Sequence, residues 1–112
     1  MVTIGAAGNR ELAWSLPMVV GVLKLTLFLP ENHSLKGKRG VIKKIKARVA
    51  NEFNVSITEC DSQDMWQRAV LGISQVGTDA PYVDGTLRHV IRFIEDLHVA
   101  EVGADEIHVF HC

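Results

Sequence analysis

From Val19 to Leu29 every second residue is apolar or glycine: Val19, Gly21, Leu23, Leu25, Leu27 and Leu29. The residues between them, Val20, Val22, Lys24, Thr26 and Phe28, are mixed in character. A period of two sends the two sets to opposite faces, so the segment is predicted as a strand with one dry face. Pro30 then ends the pattern, and the period changes. Leu35, Val41, Ile42, Ile45, Val49 and Phe53 share one side of a helix, and Ser34 ahead of them is suited to cap its N-terminus.

The second half of the chain repeats this scheme. NVSITEC alternates polar and apolar residues as an edge strand does, and RAVLGISQV returns to a strand. In the latter, Ala69, Leu71 and Ile73 form one register and Val70, Gly72, Ser74 and Val76 the other. Thr78 or Asp79 caps a second helix that tolerates Pro81 in its first turn and carries an apolar stripe of Val83, Leu87, Val90, Ile91, Ile94 and Leu97. A last strand lies within ADEIHVF. The order strand, helix, strand, strand, helix, strand predicts an α+β domain, the ferredoxin-like βαββαβ sandwich, with both helices on one face of a four-stranded antiparallel sheet. The more apolar first and third strands belong at its centre and the polar second strand at an edge.

At 112 residues, with 47% hydrophobic and 22% charged residues, the chain supports one core. The longest apolar stretch, VVGVLKLTLFL, is broken by Lys24 and falls well short of the roughly 20 residues of a membrane-spanning helix. The first 17 residues lack a basic start and an apolar run, so no secretory signal is expected and the protein is expected to be cytoplasmic. Cys60 and Cys112 have neither disulfide-framework nor metal-site spacing, and free thiols are expected.

Charge is distributed unevenly. Seven of the twelve basic residues fall between Lys36 and Arg48 with no acid among them, while the rest of the chain holds five bases against all thirteen acids. The net charge of −1 therefore conceals a strongly dipolar molecule.

From Met18 onward, MVVGVLKL, HSLKGKR, FNVSITECDSQDMWQRAVLGIS and a late IRFIED together resemble the bacterial YlxP-like family. The resemblance spans residues 18 to about 110 and implies a small ferredoxin-like domain from a bacterial cytoplasm with no established enzymatic activity. Genes of that family often lie beside those for a translation initiation factor and a ribosome-binding factor, which implies a connection to ribosome or RNA biology. The 17-residue start departs from the family pattern, as does the HVFHC end. Residues 1–17 are accordingly expected to be a flexible extension, with 18–112 as the single domain.

At about 100° per residue, Lys36, Arg39, Lys43 and Lys46 draw one stripe along the first helix, with Lys44 and Arg48 on its other flank. Lys36, Lys38 and Arg39 also sit in the first turns, where the helix dipole disfavours cations and an external anion would relieve the penalty. The SLKGKR turn, with glycine allowing close approach, is a candidate anion site. A solvated surface is the plain alternative, yet the helix holds no acid to pair with the stripe. Phosphate binding by Lys36, Lys38, Arg39, Lys43, Lys44, Lys46 and Arg48 is the leading expectation, with RNA or a ribosomal particle as partner.

The CDSQDMWQR segment is a second candidate, in which Gln63, Trp66 and Arg68 form an auxiliary contact. The competing reading has Trp66 cover the core while Asp61 and Asp64 satisfy turn amides. On the open sheet face Val20, Val22, Phe28, Val70 and Val76 are apolar enough to suggest a homodimer or another protein partner. No nucleophile, phosphate loop or metal motif accompanies Asp61 and Asp64, and the five histidines have no ligand spacing with Cys60. The expectation is a non-catalytic protein with no metal, cofactor or small-molecule substrate.

Overall fold

The computed structural model describes residues 17–61 and 64–112. Its elements run β1 (Val19–Phe28), α1 (Leu35–Glu52), β2 (Ser56–Asp61), β3 (Arg68–Gly77), α2 (Ala80–Leu97) and β4 (Glu101–His111). The four strands make one antiparallel sheet in the order β2-β3-β1-β4, so β1 and β3 are central and the polar β2 is an edge. This is the ferredoxin-like α+β sandwich that the periodicities predict. The last strand begins three residues earlier than ADEIHVF, at Glu101, and a register shift between Leu25 and Leu27 lets its longer course stay paired with β1. The segment before Pro17, expected as a flexible extension, lies outside the described residues, as does Gln63.

The dry face of β1 is as regular as its sequence. Val19, Leu23, Leu25, Leu27 and Leu29 are buried with Ala69, Leu71 and Ile73 of β3 beneath residues of both helices. From α1 come Ile42, Ile45 and Val49, and from α2 Val83, Leu87, Val90 and Ile94. Burying a side chain of this kind contributes about 1.5–3 kcal/mol before chain entropy is counted. The helices also touch through the rings of Phe53 and Phe93, which stand edge to face with centroids 5.4 Å apart. At Gly21 a Cβ would overlap Val83 of α2, so the glycine in the dry register makes room for that side chain against the sheet.

Both helices start with side-chain caps. Ser34 Oγ accepts from the Gly37 N–H at 2.9 Å, and of the two candidates for α2 it is Asp79 that caps, accepting from the Tyr82 N–H at 2.9 Å. α2 ends at His98, whose φ of 54° places a non-glycine residue in the left-handed region.

Candidate functional site

The basic helix divides by exposure. Lys36, Arg39, Lys43, Lys44 and Arg48 are exposed and Lys46 is half-buried. None of these six has a carboxylate partner among the described residues. Arg39, Lys43 and Lys46 line a shallow groove of about 180 Å³ between α1 and β2, together with Ile42 and Glu59. Such a groove is too small for most small-molecule ligands, but a line of cations at a helix edge suits an extended polyanion.

Lys38 is different. It is 1% exposed, its Nζ lies 2.8 Å from Glu59 Oε2 on β2, and the same ammonium donates to the Arg68 carbonyl on β3 at 3.1 Å. The expectation that Lys38 binds phosphate is corrected by that burial: its charge is spent inside, joining α1 to two strands. Glu59 faces the helices because β2 puts Ile57 and Glu59 opposite Ile73 and Leu71 of the dry register. A carboxylate in an apolar register was the signal in NVSITEC that a cation had to reach it.

The first turn of α1 is also occupied by the chain itself. Gly37 donates to Ser34 Oγ, Lys38 donates its backbone N–H to the Ser34 carbonyl at 3.1 Å, and Asn32 Oδ1 fills the space where a Cβ of residue 37 would stand. The glycine of SLKGKR thus admits Asn32, which corrects its reading as room for an anion. Asn32 then reaches further. Its Nδ2 donates to the Ser34 carbonyl at 2.7 Å and to the Trp66 carbonyl at 2.6 Å, so one amide clamps the helix cap to the β2–β3 connection. Gln67 closes the same joint by donating to the carbonyls of Pro30 at 3.2 Å and Asn32 at 3.0 Å, while the Leu29 N–H donates to the Gln67 carbonyl at 2.9 Å.

That clamp holds the auxiliary candidate in view. Trp66 is 54% exposed and Met65 48%, so Trp66 does not cover the core. Arg68 is half-buried at the start of β3, its carbonyl taken by Lys38. Asn32, which builds the joint with Gln67 of the second candidate segment, was not singled out from the sequence; an amide-bearing residue two before the cap and a glycine three after it were the available signs.

On the open sheet face, Val76, Val20 and Phe110 stand in one row across β3, β1 and β4, with Val76 and Phe110 exposed and Val20 half-buried. His108 stacks beside Phe110 with centroids 6.3 Å apart. Val70 shares this register but is 1% exposed, so it is corrected from the exposed set to the interior. A larger hollow of about 550 Å³ lies where the β1–α1 connection meets the start of β4, and Glu31 and Glu101 are among the residues that line it. No helix is long and apolar enough to cross a membrane among the described residues.

Comparison with known proteins gives a family and no activity. The chain is 39% identical over 77 residues to an uncharacterized protein, YlxP, of Bacillus subtilis (strain 168), covering 69% of this chain and 84% of that one. A solved structure, the de novo designed protein Foldit4, covers 85% of this chain and 96% of its own at 18% identity, with a TM-score of 0.42, a likeness that carries no argument. The model of a protein family of unknown function matches residues 20–107, from the start of β1 to the last strand. The chain belongs to that family, DUF503.

Proposed function

We propose that the protein is a non-catalytic, cytoplasmic RNA-binding module that engages the phosphate backbone of ribosomal or other structured RNA through α1. The observation that carries the reading is the set Lys36, Arg39, Lys43, Lys44, Lys46 and Arg48 on one helix, without a carboxylate partner among the described residues, in a chain whose acids outnumber its bases elsewhere. Acids from other elements were free to neutralise the helix, yet Glu59 pairs with Lys38 and Asp84 with Arg88. Six cations held at one helix surface repel one another by a modest amount each, and a polyanion reverses the sign. Co-sedimentation with ribosomal particles, followed by salt titration on an RNA that binds, tests it. Four phosphate contacts on a single strand give a log–log slope of about −3. Reversal of Lys36, Arg39, Lys43 and Lys46 to Glu should lower affinity more than about a hundredfold while the circular dichroism of the fold persists. Binding insensitive to salt, or to the reversal, removes the proposal.

A second reading concerns the open face of the sheet. The row Val76, Val20 and Phe110 fits another copy of the same chain, because Lys24 and Glu106 stand paired in register two rows away and offer opposite charges to a two-fold partner. Light scattering on the full chain should then show a dimer that Phe110→Glu dissociates. A monomer at high micromolar concentration excludes this interface.

A further inference from the structure

Trp66 belongs to neither the core nor the open-face row. It sits at the end of the sheet where β1 leaves for α1, whereas Met18, Val76 and Phe110 lie at the other end. Its backbone is fixed: the Trp66 carbonyl is bonded to Asn32, the next residue is bonded to Pro30, Asn32 and Leu29, and the Arg68 carbonyl is bonded to buried Lys38. A large ring on so firmly tied a connection loses little further freedom on binding. The amide that holds it also holds the N-cap of α1, so the exposed Lys36 and Arg39 of the first turns belong to the same corner of the molecule.

We propose that Trp66 is a stacking platform for an unpaired nucleobase, working with Lys36 and Arg39 on the adjoining phosphates, so that the ligand is single-stranded or looped RNA and not a continuous duplex. This rests on the phosphate-binding reading above and makes it specific. A duplex keeps its bases stacked inside and gives an exposed indole nothing to cover, whereas a loop or a single strand presents open π-faces. The neighbourhood favours a base over a protein partner. Hot spots of protein interfaces sit where the surrounding contacts exclude water, whereas Trp66 lies on an exposed connection between Asp64 and Gln67, tied to the helix whose first turns show Lys36 and Arg39 to solvent.

The chain has two tryptophans, so the full-length protein carrying Trp14→Phe leaves Trp66 as the sole indole. Titration with a short single-stranded RNA should quench its fluorescence, and titration with an A-form duplex of equal charge should not. Trp66→Ala should weaken single-strand binding about fivefold to a hundredfold and leave duplex binding and the salt slope unchanged, while Trp66→Phe keeps most of the affinity. If the alanine variant binds single strands normally, or loses single-strand and duplex binding equally, the platform is overturned. In those cases reversal of the four stripe cations still reports separately on phosphate binding. Unquenched fluorescence with RNA alongside loss of a protein partner in Trp66→Ala would also overturn it, in favour of a protein contact.

Discussion

α1 and α2 are both 18 residues long, lie on the same face of the same sheet, and each buries four residues at spacings of four, three and four. In α2 these are Val83, Leu87, Val90 and Ile94; in α1 they are Lys38, Ile42, Ile45 and Val49. The outer surfaces differ too. α2 mixes signs and closes an internal pair, with Arg88 Nε 2.9 Å from Asp84 Oδ2, a hydrogen bond that raises the guanidinium pKa above its ordinary value. The charged residues that α1 shows to solvent through its middle are all cations. Since α2 does the same packing without such a surface, the charge on α1 is not a requirement of this fold. Its inner lysine and its outer lysines answer to different needs.

The comparison breaks most visibly at Lys38. Lys38→Ala leaves Glu59 without its cation and should cost about 3 kcal/mol in denaturant unfolding, at the low end for a severed buried pair because Glu59 keeps some solvent contact. The double change Lys38→Met with Glu59→Leu, which gives α1 an apolar quartet like that of α2, should restore most of the loss. A cost under about 1 kcal/mol for Lys38→Ala would mean that the ammonium is solvated in solution. RNA affinity sharpens the comparison further: reversing the outer cations of α1 should abolish binding, whereas reversing Arg88 and Arg92 of α2 should leave it within about twofold. The smallest effect is at the helix starts. Lys36→Glu puts an acid where the dipole welcomes one and should stabilise the fold by about 0.3–1 kcal/mol while weakening RNA binding. A variant that gains stability without losing affinity would take Lys36 out of the interface.

Most of this architecture was written in the periods of the sequence. The switch from two to 3.6 and back locates every element, and the all-apolar register of β1 fixes which strand is central. The cap at Ser34 was legible because its chemistry is local. Lys38 was not, although it stands four residues before Ile42 in the very spacing that marks the buried face. Residue type outweighed position, since a lysine is almost never buried unless paired. Its partner lay on another element, where Glu59 was equally out of character. The joint of Asn32, Gln67 and Trp66 was hidden for a related reason: it brings together two connections more than thirty residues apart, and side-chain to carbonyl bonds leave no periodic trace.

The apolar stripe of Ile42, Ile45 and Val49 sets which side of α1 faces the sheet. Lys38 sharpens that bearing, because its ammonium is held by one carboxylate and one carbonyl on two different strands. Every other residue of α1 takes its azimuth from those four. The direction in which Lys36, Arg39, Lys43 and Lys46 face the solvent is therefore set in part by a cation that never meets it.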